Sequence, residues 1–550
     1  MRRHAIDARG LNFSGRFLLA FLFCCSLPSN GYANGDAALE NIIRGQLELV
    51  STRPDSMVHG EYLSALEDLV SLYNARSFAA VWSRDGRLQP QSGELLSVIQ
   101  GASREGLDPH DYHVESLEIL IDQVRHKPDP QSLAESDLIL TDALLTYSKD
   151  LQQGRLRKGN NLEAVNADMR SLLTSVFSDG VGLSLSLFGP ASPAYARLRE
   201  ALQHYRLLSE REILFSIPGS TLKKGDAGVA VAALRRRLTF LGDLHGESGG
   251  NEPFDETIEQ ALLRFQGRHG LQADGIVGPE TRAALAVPMT KRVSQIEYNL
   301  ERWRWLPHTL GSRYITVNIA GFTLEVTDRT EPVLRMRVIV GKPSQQTPVF
   351  SSTVTSLVLN PYWNIPHSIA TREILPQLRS NPGYLEQNNI RLLQVRNIGT
   401  IEIDPDTINW HDVSGSNFPY RLRQDPGPGN ALGRIKFFLP NPYSVFIHDT
   451  PAKSLFSRAI RDFSHGCVRL EKPFELALFL LKNQPERAGQ LSTAILAQAH
   501  NRQVDLSQPI PIHMVYRTAW VDLQGIVNFR RDIYRRDQRL ALALEGMSLN

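Results

Sequence analysis

The sequence predicts a multidomain α+β protein, in which a helical scaffold and a small three-helix bundle precede a β-rich domain with a long insertion. Three observations support this prediction. Apolar residues recur at helical spacing up to about residue 215, glycine-rich connections separate three short helices between 216 and 288, and apolar alternation begins after about residue 295. The length of 550 residues is enough for roughly three or four such domains.

Composition narrows the class of protein. Hydrophobic residues make up 42% of the chain and charged residues 21%, which is typical of globular proteins and excludes a disordered, collagen-like or polytopic membrane protein. The 60 basic and 58 acidic residues give a net charge of +2, so we expect no broad basic surface and no nucleic-acid partner. Three cysteines cannot make a disulfide framework.

The segment 1–33 has the pattern of a secretory signal peptide. Its basic residues are Arg2, Arg3, Arg9 and Arg16. A short apolar stretch at 17–25 follows, and Gly31-Tyr32-Ala33 offers a cleavage site. The apolar stretch is far shorter than the ~20 residues that span a bilayer, which favours a cleaved signal over a retained anchor. Cleavage would remove two of the three cysteines and leave Cys467 as the single thiol.

Residues 34–215 form the predicted scaffold. Asp36 is the expected N-cap of a first helix, and apolar stripes at spacings of three and four continue along the region. The stripes include Leu39, Ile42, Ile43 and Leu47, then Tyr62, Leu66, Leu69 and Tyr73, then Leu140, Ala143, Leu144 and Tyr147, and finally Leu198, Leu202 and Tyr205. Stripes of this kind usually face a core, so we predict a structural role for the region.

Residues 216–288 form the predicted bundle. Its first helix carries Val231, Leu234, Leu238 and Leu241 on one face, and its second carries Ile258, Ala261, Leu262 and Phe265. A turn at 274–278 leads to Pro279 at the start of a third helix, a position that proline favours. The segments 222–226, 238–242 and 254–281 resemble the peptidoglycan-binding type 1 domain. The resemblance implies a cell-wall ligand, and a purely structural bundle is the alternative.

Residues 295–505 change to the period of two that strands show. The segments 314–319 and 323–326 alternate around Gly321 and predict a hairpin. Further strands are predicted at 334–340, 354–359 and 443–447, and a helix is expected to begin near Pro473. The region is therefore expected to be a β-rich layer with added helices.

The chemistry of this region concentrates around Cys467. A nucleophilic cysteine requires a base or a positive field that lowers the pKa of its thiol, and backbone donors that hold an oxyanion. His448, 19 residues earlier at the end of a predicted strand, is the favoured base, and His465 is a second candidate. Gly466 allows the backbone to approach an acyl carbonyl closely. A buried structural cysteine is the alternative, and the position of the thiol within Ser-His-Gly-Cys argues against it.

These residues also carry a family resemblance. Ile447-His448-Asp449-Thr450 followed by 464–469 resembles the signature of the L,D-transpeptidase catalytic domain of the YkuD type. Supporting matches lie at 341–350 and 360–366. The order of helical region, bundle and catalytic domain resembles the larger YcbB-like branch of that family, which implies a periplasmic protein.

The resemblance implies catalytic roles for individual residues. Cys467 would be the nucleophile and His448 the general base. The backbone carbonyl of Asp449 would orient the imidazole, at a position where many members of the family have glycine. Backbone amides around His465, Gly466 and Cys467 would form the oxyanion hole.

Four further residues are predicted to meet the substrate or to shape its site: Arg469, Ser464, Tyr443 and Trp363. Arg469 would either brace the nucleophile loop or bind a substrate carboxylate. No metal site is expected, because the histidines lack ligand spacing with acidic partners, and no cofactor is expected.

The segment 367–440 is a long connection, and long connections are usually functional or disordered. It contains a predicted helix at 371–379 and a loop rich in Pro and Gly at 425–433. The resemblance implies that it caps the active site, and a surface subdomain without a catalytic role is the alternative. A C-terminal extension, 506–550, is predicted to add a pair of strands, from 511–516 and 519–521, and a charged helical end.

The leading functional prediction is peptidoglycan L,D-transpeptidation. Cys467 attacks the third residue of a tetrapeptide stem, D-alanine leaves, and an amine of another stem resolves the thioester into a 3→3 cross-link. An L,D-carboxypeptidase, with water as the acceptor, and a non-catalytic wall-binding protein are the alternatives, and intact Cys467 and His448 argue against the latter. The expected partners are donor and acceptor stems of peptidoglycan and wall-synthesis enzymes of the periplasm.

Overall fold

The computed structural model describes residues 33–546 apart from 54, 157–168, 214, 220, 247–251, 398 and 497–500. The predicted signal, 1–33, lies outside the described residues except for Ala33. The chain divides into two compact units: one holds residues up to Ser92 with Ser116–Thr141, the other Gly93–Glu115 with the chain from Asp142 onwards. In the part of the chain that the structure describes, no helix is both long and apolar enough to cross a membrane.

The N-terminal region is helical, as predicted. Its elements are α1 (Ala33–Thr52), α2 (Leu66–Ala75), the short strands β1 (Ser83–Arg84) and β2 (Arg87–Leu88), α3 (Pro90–Gln100), α4 (Val114–His126), α5 (Pro130–Gln153), α6 (Met169–Asp179), α7 (Val181–Ser186) and α8 (Pro193–Arg211). The stripes are buried at Ile43, Leu69 and Tyr73. Two details are wrong: α1 begins at Ala33, which places Asp36 inside the helix, and Tyr62 precedes α2 and is exposed.

The predicted bundle is confirmed. It consists of α9 (Val229–Phe240), α10 (Glu256–Arg268) and α11 (Pro279–Leu285), and Pro279 occupies the first turn of α11. Leu234, Leu262 and Phe265 are completely buried in its core. α10 begins behind Asp255, whose carboxylate accepts a hydrogen bond from the Ile258 N–H at 3.0 Å.

A buried glutamine holds the turn that precedes α11. The Gln266 amide nitrogen donates to Asp274 Oδ1 at 2.8 Å, to the Ile276 carbonyl at 2.9 Å and to Thr281 Oγ1 at 3.1 Å. Its amide oxygen accepts from the N–H groups of Asp274 and Gly275 at 3.1 and 2.9 Å. Both ends of this side chain are therefore fully used inside the bundle.

Residues 289–515 contain α12 (Met289–Arg304), β3 (Arg313–Asn318), β4 (Thr323–Asp328), β5 (Glu331–Gly341), β6 (Phe350–Leu359), β7 (Trp363–Ile365), α13 (His367–Ile369), α14 (Leu375–Ser380), α15 (Tyr384–Gln387), β8 (Ile390–Arg396), β9 (Gly399–Glu402), β10 (Tyr420–Gln424), β11 (Ile435–Phe438), β12 (Ile447–His448), β13 (Asp462–Ser464), β14 (Val468–Leu470), α16 (Pro473–Leu480), α17 (Pro485–Leu496) and β15 (Arg502–Val515). The sequence analysis missed α12, and the domain boundary predicted at 295 falls inside it.

Within the described residues, nine strands form one sheet in the order β13-β5-β14-β12-β11-β6-β15-β3-β4. A further pairing of β4 with β5 closes the sheet on itself. The inward side chains fill one apolar core, to which α16 contributes Leu476 and Ala477. The β-rich domain and the helix that starts at Pro473 are therefore as predicted.

Strand predictions were right where alternation was clear. The hairpin around Gly321 is formed by β3 and β4, and β5 and β6 cover the next two predicted strands. The strand predicted at 443–447 is wrong before Ile447. Ser444 has a φ of 55°, and the Asn441 side chain binds the N–H groups of Tyr443 and Val445 at 3.0 and 3.1 Å, so that stretch is a loop.

The C-terminal prediction needs a correction. β15 pairs with β6 and β3, so the boundary predicted at 505/506 falls inside a strand of the main sheet. The pair predicted between 511–516 and 519–521 does not form. Instead β16 (Ala519–Val521) pairs with β17 (Val527–Phe529), and these strands share a core with α8 and α12. The helix α18 (Arg536–Leu544) is the charged end that was predicted.

The insertion has a sheet and a core of its own. Its strands follow the order β7-β10-β8-β9, and its core includes Leu378, Leu392 and Trp410. The predicted helix at 371–379 lies within α13, a π-helical stretch at Ala370–Ile374, and α14. Because β7 pairs with β10 and β11 belongs to the main sheet, the insertion spans about 363–434 instead of 367–440.

Candidate active site

Three neighbouring strands place polar side chains in one row. β11 pairs with β12 so that Lys436 lies opposite His448, and β12 pairs with β14 so that His448 lies opposite Arg469. Side chains in register across a sheet share a face. The residues that alternate with them, Phe437, Ile447 and Val468, are completely buried in the core. The row Lys436–His448–Arg469, called the catalytic row below, therefore lies on the outer face of the sheet.

Cys467 directly precedes β14 and lies two positions before Arg469, so alternation places it on the same outer face. The Val468 N–H donates to the Phe446 carbonyl at 3.1 Å, which extends the β12–β14 pairing up to the cysteine. Burial raises the pKa of the Cys467 thiol, while a Phe446 backbone hydrogen bond and the charges of Lys436 and Arg469 act to lower it.

His448 is buried and tied to the backbone. Its Nδ1 lies 2.5 Å from the carbonyl oxygen of Asp449. Because a carbonyl only accepts, Nδ1 carries the proton, and Nε2 keeps a lone pair. Burial lowers the pKa of His448 to about 3, and the charges of Arg469 and Lys436 act in the same direction. The imidazole is therefore neutral at neutral pH, with the orientation by Asp449 that the family resemblance implied.

A serine holds the loop that carries the cysteine. Ser464 Oγ donates to the Cys467 carbonyl at 2.5 Å and accepts from the Gly466 N–H at 3.1 Å. Ser464 is 1% exposed, so its hydroxyl supports the loop from beneath, and the predicted contact with substrate does not fit this position. Gly466 has a φ of 111°, a left-handed conformation that favours glycine.

A second layer supports the same loop. Thr347 Oγ1 donates to the Gly466 carbonyl at 2.8 Å and accepts from the Gly341 N–H at 2.9 Å. The Tyr534 hydroxyl donates to the Gly341 carbonyl and accepts from the Thr347 N–H at 3.3 Å. The sequence analysis missed Tyr534, which lies in the predicted C-terminal extension. Gly341 and Thr347 both lie in the segment 341–350 that supported the family resemblance.

His465 contacts the insertion. Its Nε2 hydrogen-bonds to the carboxylate of Glu373, which lies in the π-helical stretch and is also 4.0 Å from Lys342 Nζ. The His465 ring is therefore directed to the insertion by a carboxylate, and this favours His448 as the base. Glu373 was missed, because only the folded insertion brings it to the loop.

The side chain of Asp449 has a structural use besides its carbonyl. The carboxylate accepts from the Arg434 N–H at 2.9 Å and from Lys453 Nζ at 2.6 Å. A Cβ at Gly433, where φ is 62°, would come within 2.4 Å of the Asp449 carboxyl carbon. Asp449 thus joins the end of the insertion to the strand that carries His448.

The remaining predicted site residues lie on other elements. Tyr443 is exposed on the loop before β12, with its ring 5.3 Å from that of Phe350. Trp363 lies on β7 opposite Gln424 and packs against the core of the insertion. Their contact with substrate stays a prediction.

Lys436 is the residue of the row that the sequence analysis missed. Its Nζ lies 3.8 Å from the centre of the Phe446 ring, and burial lowers its pKa. The available signal was a lysine between two apolar residues in a strand, Ile435 and Phe437. Among the described residues, no group of three or more His, Cys, Asp or Glu side chains is placed to hold a metal ion.

Comparison with known families agrees with the sequence motifs. Residues 312–487 match the L,D-transpeptidase catalytic domain, and residues 227–285 match the "Putative peptidoglycan binding domain". Residues 67–202 match a family described as the scaffold domain. The two resemblances drawn from the sequence are therefore confirmed, together with the helical N-terminal region.

Individual relatives cover parts of the chain. A Haemophilus influenzae protein named "Putative L,D-transpeptidase" is 35% identical over 260 residues, which are 47% of this chain and 51% of that protein. The chain thus spans about half the length of this relative. The N-acetylmuramoyl-L-alanine amidase CwlL of Bacillus licheniformis is 36% identical over 74 residues, 14% of this chain and 21% of that protein. The solved L,D-transpeptidase of Xylanimonas cellulosilytica covers 54% of this chain and 98% of its own, at 15% identity and a TM-score of 0.18.

Proposed function

We propose that the protein forms 3→3 cross-links in peptidoglycan through a thioester at Cys467, and the match of residues 312–487 to the L,D-transpeptidase catalytic domain supports this proposal. The observation that carries the proposal is the neutral, oriented His448 on the same sheet face as Cys467. A base with a free lone pair and a nucleophile in a rigid loop are the two parts that acyl transfer needs.

In the first half-reaction the thiol becomes acylated. His448 Nε2 takes the thiol proton as Cys467 Sγ attacks the carbonyl carbon of the third residue of a tetrapeptide stem. The imidazolium then gives this proton to the departing nitrogen, the C–N bond breaks, and D-alanine leaves a thioester behind. The Gly466 N–H is already bound to Ser464, so the amides of His465 and Cys467 are the oxyanion donors we favour.

In the second half-reaction an amine of another stem attacks the thioester carbonyl. It gives a proton to His448, the C–S bond breaks, and the proton returns to the sulfur. Water in place of the amine would give an L,D-carboxypeptidase, the alternative retained from the sequence. Both reactions use the same residues, and the acceptor decides between them.

The electrostatics favour proton transfer during the attack over a preformed thiolate–imidazolium pair. Burial raises the pKa of Cys467 and lowers that of His448, so both groups are neutral at rest. The charges of Lys436 and Arg469 favour a thiolate and disfavour an imidazolium. These two positive charges therefore stabilise the negative charge that develops during the attack.

We assign to the bundle the role of binding peptidoglycan. A domain that binds peptidoglycan raises the effective concentration of stems at the linked catalytic domain. Both domain types act on the cell wall, so we place the protein outside the cytoplasm, in the periplasm, where wall-synthesis enzymes are its expected neighbours. Deleting the bundle is expected to weaken sedimentation with intact sacculi and to spare reaction with a small acyl donor.

The test is incubation of the purified chain with disaccharide-tetrapeptides, followed by mass spectrometry of the products. Cross-linked dimers that lack one D-alanine support the transpeptidase. Trimmed monomers alone would point to the carboxypeptidase. If neither product forms with folded protein, while donor and acceptor are both present, the proposal is wrong. The Cys467→Ala variant provides the matched control.

A further inference from the structure

Two cations of the catalytic row lack a carboxylate partner. Lys436 and Arg469 flank His448 on the neighbouring strands. In the described part of the chain, neither forms an ion pair with a carboxylate, and the buried Nε of Arg469 has no hydrogen-bond partner. The acidic group that interacts with both of them is the thiol of Cys467.

Other cations of the same domain are paired. Arg337 binds Glu471 with two nitrogens, and Lys453 binds Asp449 at 2.6 Å. Half-buried cations lose hydration, and a nearby anion normally compensates for that loss. A thiol that is neutral at rest does not supply this compensation. Among the described residues, no carboxylate supplies the anion that this row lacks.

We propose that Lys436 and Arg469 form an anion subsite that binds a carboxylate of the acyl donor beside Cys467. This inference rests on the proposed function, which supplies a donor with two carboxylates: the terminal one of the leaving residue and the side-chain one of the diamino acid. The terminal carboxylate is separated from the attacked carbonyl carbon by one nitrogen and one carbon atom. It is therefore the source that we favour.

The subsite would couple binding to activation of the base. In the empty site the two cations disfavour protonation of His448. A bound carboxylate offsets their charge, so His448 becomes a stronger base when the donor is in place. When the leaving residue departs, its carboxylate departs with it, and the positive field at the sulfur returns. Arg469 thereby takes the substrate-binding alternative of its two predicted roles.

The experiment measures kcat/KM for release of the leaving residue with three donors: the natural stem, a stem with an amidated terminal carboxylate, and a stem with an amidated diamino-acid side chain. Lys436→Met is compared with Lys436→Arg and with Lys482→Met, a matched loss of charge at an exposed lysine. A charge-assisted hydrogen bond contributes about 1.5–3 kcal/mol, so Lys436→Met is expected to lower kcat/KM for the natural stem roughly 10–100-fold. Lys436→Arg is expected to recover most of the activity, and Lys482→Met to match the wild type.

The capped donors decide the outcome. The cap that abolishes the difference between Lys436→Met and wild type identifies the bound carboxylate. A penalty that persists with both capped donors overturns the subsite. A second measurement is the rate at which neutral iodoacetamide alkylates Cys467, followed across pH in Lys436→Met and in wild type. If Lys436→Met slows this alkylation as much as it lowers kcat/KM, Lys436 stabilises only the thiolate, and the subsite is overturned. If Lys436→Met does not fold, the wild type alone still tests the subsite, which is overturned if neither cap lowers its kcat/KM. Wild type that turns over no donor refutes the proposed function instead.

Discussion

Gln266 of the bundle and Arg469 of the catalytic sheet are both polar side chains with buried atoms, and their surroundings differ. Gln266 uses every donor and acceptor position of its amide within the turn before α11. The Nε of Arg469 has no partner among the described residues. Buried polar groups are nearly always hydrogen-bonded in proteins, because an unmade bond costs about 1–3 kcal/mol.

The contrast separates stability from function. A satisfied group such as Gln266 contributes to the fold of its own module and offers nothing to a ligand. An unsatisfied group such as Arg469 costs stability, and the row that contains it offers charge to whatever binds there. Substitutions in the catalytic row should therefore reduce activity and keep the fold intact. Substitutions at Gln266 should instead destabilise the bundle and keep the activity of the catalytic domain.

The largest effect is expected at Cys467. Cys467→Ala should reduce cross-linking to background, because the covalent intermediate needs the sulfur, and should leave the melting temperature nearly unchanged. Intact-mass measurement after incubation with a carbapenem offers a second readout, since a strained lactam carbonyl resembles the donor carbonyl. An adduct that persists on the alanine variant would assign the nucleophile elsewhere.

His448→Gln should come next. General acid–base catalysis contributes about 10²–10⁴-fold, so single-turnover acylation should slow by that factor while the circular dichroism spectrum stays that of the wild type. The matched control is His465→Gln, which removes the contact with Glu373 and should slow acylation much less. The reverse order of the two rates would move the base to His465.

Gln266→Leu tests the other side of the comparison. The substitution leaves the amides of Asp274 and Gly275 without their acceptor, which should destabilise the bundle by about 2–4 kcal/mol. Hydrogen exchange should rise in 222–285, and acylation by a small donor should not change. Protection that stays at the wild-type level would mean that the turn does not depend on this side chain.

The effect spread over the widest range of conditions concerns pH. The pKa of His448 is lowered from its ordinary value to about 3, so between pH 6.5 and 3 the unfolded chain binds a proton that the folded chain does not. The free energy of unfolding should therefore decrease as the pH is lowered through this window, by about 1 kcal/mol per pH unit for this one group. His448→Gln removes that contribution, so its urea midpoint should depend less on pH than that of the wild type. Parallel curves would refute a neutral, buried imidazole.

Local sequence patterns predicted most of the fold, and at the site they predicted the nucleophile and the base. The hairpin at Gly321 and the helix that starts at Pro279 follow from turn chemistry, and Cys467 and His448 follow from motifs. Long-range register is what sequence alone did not supply. Lys436 became part of the site only because β11 lies beside β12, and a lysine in a short strand carries no sign of its neighbour.

The errors have the same origin. Residues 511–516 have strand character, but their partners are β6 and β3 instead of the nearby 519–521. Before Ile447 the chain forms a loop where a strand was predicted, because the Asn441 side chain accepts hydrogen bonds from the backbone N–H groups of Tyr443 and Val445. Glu373 and Tyr534 meet the nucleophile loop from distant parts of the chain, and no local pattern marks such meetings.

The pairing of β4 with β5 has a consequence for how the chain behaves in a crowded compartment. An open sheet ends in strands whose free N–H and C=O groups can recruit strands of other molecules, which is a common start of aggregation. Here β4, the last strand of the sheet, hydrogen-bonds back to β5, so the outer edge of β4 is paired, and the strand at the other end is the short β13. Because addition of a foreign strand to β4 first requires that this seam opens, we expect aggregation through β4 to track loss of the β4–β5 contact.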